Sequence, residues 1–185
     1  MLSPWLSLQN KAWYACGGND ALYDTIKKAT TVDPTQYLNM FTCDGNDILG
    51  SSMFPDESHA PKDKLWSNML SDWALPGAAD ASYAGDTAVH ELGHFFGLPH
   101  TFFQGDGKKC KHSGDDGIGD TPFEAAALYG CPVQVDSCNQ AGMEGYDPIW
   151  NFMDYTDDVC MWRFSEQVIP LPLPLSRAHS ILCYA

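Results

Sequence analysis

The stretch His90-Glu91-Leu92-Gly93-His94-Phe95-Phe96-Gly97-Leu98-Pro99-His100 constrains this chain more than any other, and it holds three of the chain's six histidines. On a helix, His90 and His94 stack on one face, where two imidazoles can share one tetrahedral metal ion. Glu91 lies one residue off that face, placed to take a proton and hand it on without ligating. Gly97 is free to adopt positive φ, so the helix can end there and the chain can turn to bring His100 round as a third ligand. Three imidazoles leave the fourth position of a zinc ion open, the arrangement of a catalytic site and not of a closed structural one. The plainer alternative, ordinary polar residues on an amphipathic helix, does not explain why His, Glu and Gly all fall at the required offsets.

Bulk properties narrow the partners. At 185 residues and 44% hydrophobic content, residues 1–185 read as a single domain with enough apolar material for a core. No apolar run approaches the ~20 residues a bilayer span needs, and the greasiest, Val168 to Leu175, is broken by three prolines, so no membrane span is expected. A formal charge of −14 and a pI of about 4.4 argue against nucleic acid or an anionic membrane as partner. Acidic residues crowd Asp106 to Asp120 and Asp154 to Asp158, which suits bound cations or basic peptides; solvated acidic loops are the alternative. Seven cysteines, none spaced CxxC, point to disulfides and an oxidising compartment, with one cysteine left over. Met1 to Cys16 lacks a basic n-region and a sustained apolar h-region, so either an export signal absent from this sequence or a truncated start is expected.

Along the chain, Asn19-Asp20 caps a helix running to about Thr30, with Leu22, Ile26 and Ala29 on one side. Gln36 to Cys43 reads as a strand and Ile48 to Phe54 as another, and the Asp44 to Asp47 turn between them allows a hairpin. Leu65 to Leu70 is open between strand and helix. Ala78 to Gly85 is a small-residue connector, after which Asp86-Thr87 supplies the N-cap of the metal helix, placed at Thr87 to Phe96. From Thr101 to about Asp147 the chain is loop, with a short turn of helix expected at Glu124 to Tyr129. So long a loop requires an anchor, and disulfides or a bound cation are the candidates.

Asn151-Phe152-Met153-Asp154-Tyr155-Thr156-Asp157-Asp158, about fifty residues beyond the metal helix, extends the pattern. With the extended histidine motif it resembles the metzincin metalloproteases. The surrounding words Gly85-Asp86-Thr87, Leu98-Pro99-His100-Thr101-Phe102, Gly119-Asp120-Thr121-Pro122, Gly130-Cys131-Pro132, Asp136-Ser137-Cys138 and Asp147-Pro148-Ile149 narrow the resemblance to the pappalysin family, particularly its secreted fungal and bacterial members. The resemblance runs from about Gln36 to Gln167. It implies an α+β zincin: a small mixed β-sheet with the active-site helix, then a loop-rich C-terminal subdomain with a Met-turn at Met153. It further implies zinc ligands His90, His94 and His100, general base Glu91, and Tyr155 as a stabiliser of the oxyanion. The family's disulfides would fall as Cys110–Cys138 and Cys131–Cys160. A calcium site would fall near Asp116, the Ile118 carbonyl, Asp120 and Thr121, and Asp158 would lie at the base of an S1′ pocket selecting Arg or Lys. Cys16, Cys43 and Cys183 remain outside these pairs, with Cys16–Cys43 one pairing open to them.

The implied function is a secreted, monomeric zinc endopeptidase acting on proteins or peptides. Two departures leave a second reading open, a truncated or inactive relative that persists as a metal-binding module or a mispredicted gene product. Residues 1–35 do not match the family's earlier strand and helix, and no zymogen switch can be located. Residues 168–185 replace the family's closing helix, and proline at alternate positions from Pro170 to Pro174 forbids a helix through that stretch. An unspliced intron after Gln167 is the expected source of that tail, because a splice site beginning GT would translate as Val168. A third reading, a calcium-stabilised extracellular interaction domain, explains the acidic loop but leaves the histidines idle.

Overall fold

Residues 5–9, 11–14, 19–33, 37–44, 48–52, 67–71, 85–102, 110, 116–167 and 177–184 are described by the computed structural model. The strands are β1 (Trp5–Gln9), β2 (Tyr37–Cys43), β3 (Gly50–Ser51), β4 (Ser67–Ser71) and β5 (Arg177–Tyr184); the helices are α1 (Lys11–Tyr14), α2 (Asp20–Thr30) and α3 (Asp86–Phe95). The strands form one sheet in the order β1-β5-β2-β4-β3. β1–β5, β5–β2 and β2–β4 pair parallel, and β3 runs antiparallel to β4 at the edge, so the sheet is mixed.

α2 begins where Asn19 Oδ1 accepts the Leu22 N–H at 3.0 Å, an N-cap that satisfies one of the four orphan donors of the first turn. Its apolar side buries Ile26 against Phe41 and Cys43 of β2, with Trp13, Leu22 and Tyr23 around them. β2 is paired on both sides and covered on both faces, which is why Leu38, Asn39, Phe41, Thr42 and Cys43 are all buried. The buried Asn39 amide is matched at both ends: Oδ1 accepts the Val32 N–H at 2.9 Å and Nδ2 donates to the Val32 carbonyl at 2.8 Å. Unpaired at that depth, such an amide would be costly.

Four sequence expectations change here. The hairpin does not form: Gly50 and Ser51 pair with Leu70 and Met69 of β4, because the partners of β2 are the parallel strands β4 and β5. Residues 53–54 of that expected strand lie outside the described residues. Of the ambiguous stretch Leu65 to Leu70, residues 67–70 belong to strand β4, taken into the sheet by its parallel partner, and residues 65–66 lie outside the described residues. Residues Glu124 to Tyr129 do not coil, since Glu124 bridges to Phe102 and the Ala125 N–H donates to Ser137 Oγ at 2.9 Å. The metal helix spans Asp86–Phe95 with Gly85 as its N-cap, one residue earlier than the sequence suggested. Arg177–Tyr184 is a strand between β1 and β2, while residues 168–176 lie outside the described residues.

The stretch from 116 to 167 carries almost no regular structure and is held by cross-links. Cys110–Cys138 and Cys131–Cys160 close loops of 28 and 29 residues' separation. Asp147 Oδ1 accepts both the N–H and the hydroxyl of Ser137 at 3.0 Å, and Thr121 and Ser165 hydroxyls meet at 2.9 Å. Cys138, Ala125 and Met143 form a small core beneath. No described helix is long and apolar enough to cross a membrane. α3 packs against β3 and β4, so the cleft forms between the sheet edge and the cross-linked loops.

Candidate active site

α3 ends in a motif that places the third histidine. Gly97 takes φ 94°, its N–H donates to the His94 carbonyl, and the Leu98 N–H reaches back to the Gly93 carbonyl, both at 2.9 Å. This six-to-one and five-to-two pair of bonds is a Schellman stop, which requires the left-handed backbone that glycine adopts freely. The chain then doubles back and His100 meets the helix face. Its Nε2 lies 3.0 Å from His94 Nε2 and 3.1 Å from His90 Nε2.

The other ring nitrogens decide what those three atoms can hold. His90 Nδ1 sits 2.6 Å from the Phe152 carbonyl and His94 Nδ1 sits 2.7 Å from the Leu98 carbonyl. A carbonyl can only accept, so in both rings the hydrogen is on Nδ1 and Nε2 is a bare lone pair. Burial, joined at His90 and His100 by the neighbouring imidazoles, holds His90 down to about 4 and His100 to about 3; burial likewise lowers His94. At neutral pH the trio is uncharged, and at most one hydrogen can lie among three converging nitrogens. Such a set repels itself unless a cation sits among them, and neutral imidazoles with Nδ1–H fixed to carbonyls are the donor set zinc takes. The residues therefore fit a zinc ion, and among the described residues this is the one group of three or more such side chains arranged to hold a metal.

Glu91 is buried beside them, with Oε2 lacking any hydrogen-bond partner. Burial pushes its carboxyl up to about 8. Gly50 of β3 presses on it: a Cβ there would collide with Glu91 Oε1 and stand 2.6 Å from its Cγ. Tyr155 packs against the same point, its ring centroid 4.7 Å from that of His100, edge-on, and 5.7 Å from that of His90. Burial, followed by the charge of Glu91, raises the Tyr155 phenol above its ordinary range, so it stays an O–H donor. These residues and Asp158 line one cleft of about 570 Å³.

Met153 lies under the helix. Its backbone oxygen accepts the Thr101 N–H at 3.2 Å, and a Cβ on Gly93 would run into its sulfur. Only glycine at 93 lets the thioether approach so closely. Asn151 Oδ1 accepts the Met153 N–H at 3.0 Å and the preceding carbonyl, of Phe152, holds His90, so the turn acts on the histidines through backbone as well as packing.

Sequence reasoning passed over two groups. Glu124 accepts from the Thr101 hydroxyl at 2.8 Å, and its carboxyl interacts electrostatically with that of Asp154, next to Met153. Burial and then the Asp154 charge push Glu124 up to about 9, whereas Asp154, also raised by burial, stays near 6. Through the Thr101 hydroxyl, Glu124 holds the segment just after His100. No spacing rule marks it. Gly50 was legible in principle, since an isolated glycine in a strand pattern signals a close approach.

The acidic loop is arranged differently from a preformed cage. Asp116 Oδ1 accepts the Ile118 N–H at 2.9 Å, the Ile118 carbonyl accepts the Thr121 N–H at 3.1 Å, and Asp120 Oδ2 accepts the Gln167 N–H at 3.0 Å. Asp120 Oδ1 is buried without a hydrogen-bond partner. Asp158 Oδ2 accepts from the N–H groups of both Gly85 and Asp86 at 2.9 Å.

The M43 peptidases, described by the family name pregnancy-associated plasma protein-A, match residues 21–171. The chain belongs to this family. A solved pappalysin structure is similar in fold: mature mirolysin of Tannerella forsythia, in complex with a cleaved peptide, superposes with a TM-score of 0.67 at 32% identity, over 80% of this chain and 56% of that one. An extracellular metalloprotease of Pyricularia oryzae is 38% identical over 158 residues, 84% of this chain and 52% of that protein. Another from Colletotrichum graminicola is 35% identical over 160 residues, with 84% and 54% covered. This pappalysin chain spans about half the length of the curated relatives it matches.

Proposed function

We propose that this chain is a secreted zinc endopeptidase that hydrolyses peptide bonds, with Glu91 as general base and a preference for Arg or Lys after the scissile bond. One observation carries the reading: His90 and His94 Nε2 both lie within 3.1 Å of His100 Nε2, beside a buried carboxyl whose Oε2 has no hydrogen-bond partner, in an open cleft. When bound, zinc acidifies a water and polarises the scissile carbonyl. Glu91 Oε2 takes the water's proton and delivers it to the leaving amine nitrogen. The Tyr155 hydroxyl donates to the carbonyl oxygen as negative charge builds there. Ile48 and Leu49, exposed at the cleft beside β3, offer apolar contact to a substrate lying along the edge.

Asp158 supplies the negative charge expected of a pocket for a basic side chain, and the chain's net charge of −14 favours cationic substrates. Secretion is supported by the names of the relatives and by the disulfides. The same proposal includes a calcium ion at Asp116, Ile118, Asp120 and Thr121, for which the buried free oxygen of Asp120 speaks. An inactive metal-binding relative is the second reading.

A quenched-peptide library varied at P1′ separates the two. The expected result is cleavage that a chelator abolishes and zinc restores, with Arg and Lys at P1′ preferred. A folded chain that binds one zinc and cleaves no member of the library supports the second reading and sinks the first.

A further inference from the structure

We infer that Asp158 is a positioning residue that fixes the N-terminus of α3 and thereby aims His90 and Glu91. This role rests on the zinc-site reading above and extends it. α3 starts on Gly85, held at φ 104°, a conformation open to glycine but one that leaves the helix with no capping side chain of its own. The first-turn N–H groups of a helix need acceptors from elsewhere. Asp158, more than seventy residues away and buried, provides one oxygen to both Gly85 and Asp86. A carboxylate is the acceptor best suited to that end of a helix, where the aligned peptide dipoles present positive charge.

The acceptor is itself anchored. Asp158 opens a 3₁₀ turn, Asp158–Cys160, whose last residue is disulfide-bonded to Cys131, while the Asp157 N–H donates to the Gly130 carbonyl at 3.0 Å. The far end of α3 is secured separately by the Gly97 stop and the bond from His94 Nδ1 to Leu98. Freeing the near end therefore moves His90 and Glu91, one to two turns from Gly85, more than it moves His94. The Cys131–Cys160 cross-link in this way reaches the zinc helix through a single side chain.

The test compares Asp158→Ala and Asp158→Asn in the purified chain. It reads zinc affinity by competition with a chromogenic chelator, melting temperature, and kcat and KM on substrates with Arg, Lys or a neutral residue at P1′. An amide oxygen can still accept both N–H bonds, so Asp158→Asn keeps zinc affinity within about threefold of the parent. Asp158→Ala weakens zinc binding about 10–100-fold, as loss of a group that orients a metal ligand does, and lowers kcat alike for all three substrates. An Asp158→Ala chain with parental zinc affinity and melting temperature, failing only on Arg and Lys substrates, overturns the inference and leaves Asp158 a pocket residue alone. If Asp158→Ala does not fold, Asp158→Asn decides: retained zinc supports the inference, and zinc loss beyond about tenfold overturns it. Because zinc affinity is measured without substrate, the role of Asp158 is decided even in a chain that cleaves nothing.

Discussion

Glu91→Gln is expected to lower peptide hydrolysis about 10²–10⁴-fold while the chain still binds zinc, a barrier increase of about 3–5 kcal/mol. Gln has nearly the shape of Glu, so the contact with Gly50 and the packing of α3 survive, and the three histidines keep their places, His90 and His94 on their carbonyl partners. What is lost is the oxygen proposed to take the proton. Measuring kcat beside zinc content checks both halves. A Glu91→Gln chain with parental kcat would assign the base elsewhere, and one that lost its zinc would make Glu91 part of the metal site.

The second large effect is expected from the sheet edge. Gly50→Ala places a methyl where Glu91 Oε1, Cγ and Cδ now lie, the last at 2.8 Å. Something must shift, and the Glu91 side chain is softer than the paired backbone of β3 and β4. An ångström's misplacement of a catalytic group costs on the order of 10²-fold. The predicted signature is a kcat lower by about that factor, with zinc affinity unchanged because the three atoms nearest the new methyl all belong to Glu91. Parental kcat in Gly50→Ala would show that Glu91 can yield without leaving its working position.

How far the sequence revealed all this depends on how local each cause is. The zinc helix was legible because its chemistry lies within eleven residues, and Gly97 announced the stop that turns His100 inward. α2 was legible for the same reason: its cap, its apolar side and its end are near neighbours in sequence. The N-terminus of α3 was misplaced because its cap comes from Asp158, and the rule used, a polar side chain just before the helix, sees only adjacent residues. The hairpin expectation failed on the same ground, since the partners of β2 are strands drawn from residues 67–71 and 177–184. Glu124 looked like a helix former, yet its position is set by Thr101 and Asp154, each more than twenty residues away. Family resemblance supplied the roles expected of Met153 and Tyr155, which by themselves are an unremarkable methionine and tyrosine.

The central claim is that three imidazoles hold one zinc with a position left open. X-ray absorption spectroscopy of the zinc-loaded chain tests it most directly, because multiple scattering counts imidazoles and the first shell separates nitrogen or oxygen from sulfur. The predicted result is one zinc per chain with three imidazoles and one further light ligand, falling to two imidazoles and weaker retention in His100→Ala. A first shell containing sulfur, or a zinc signal unchanged in His100→Ala, would contradict it.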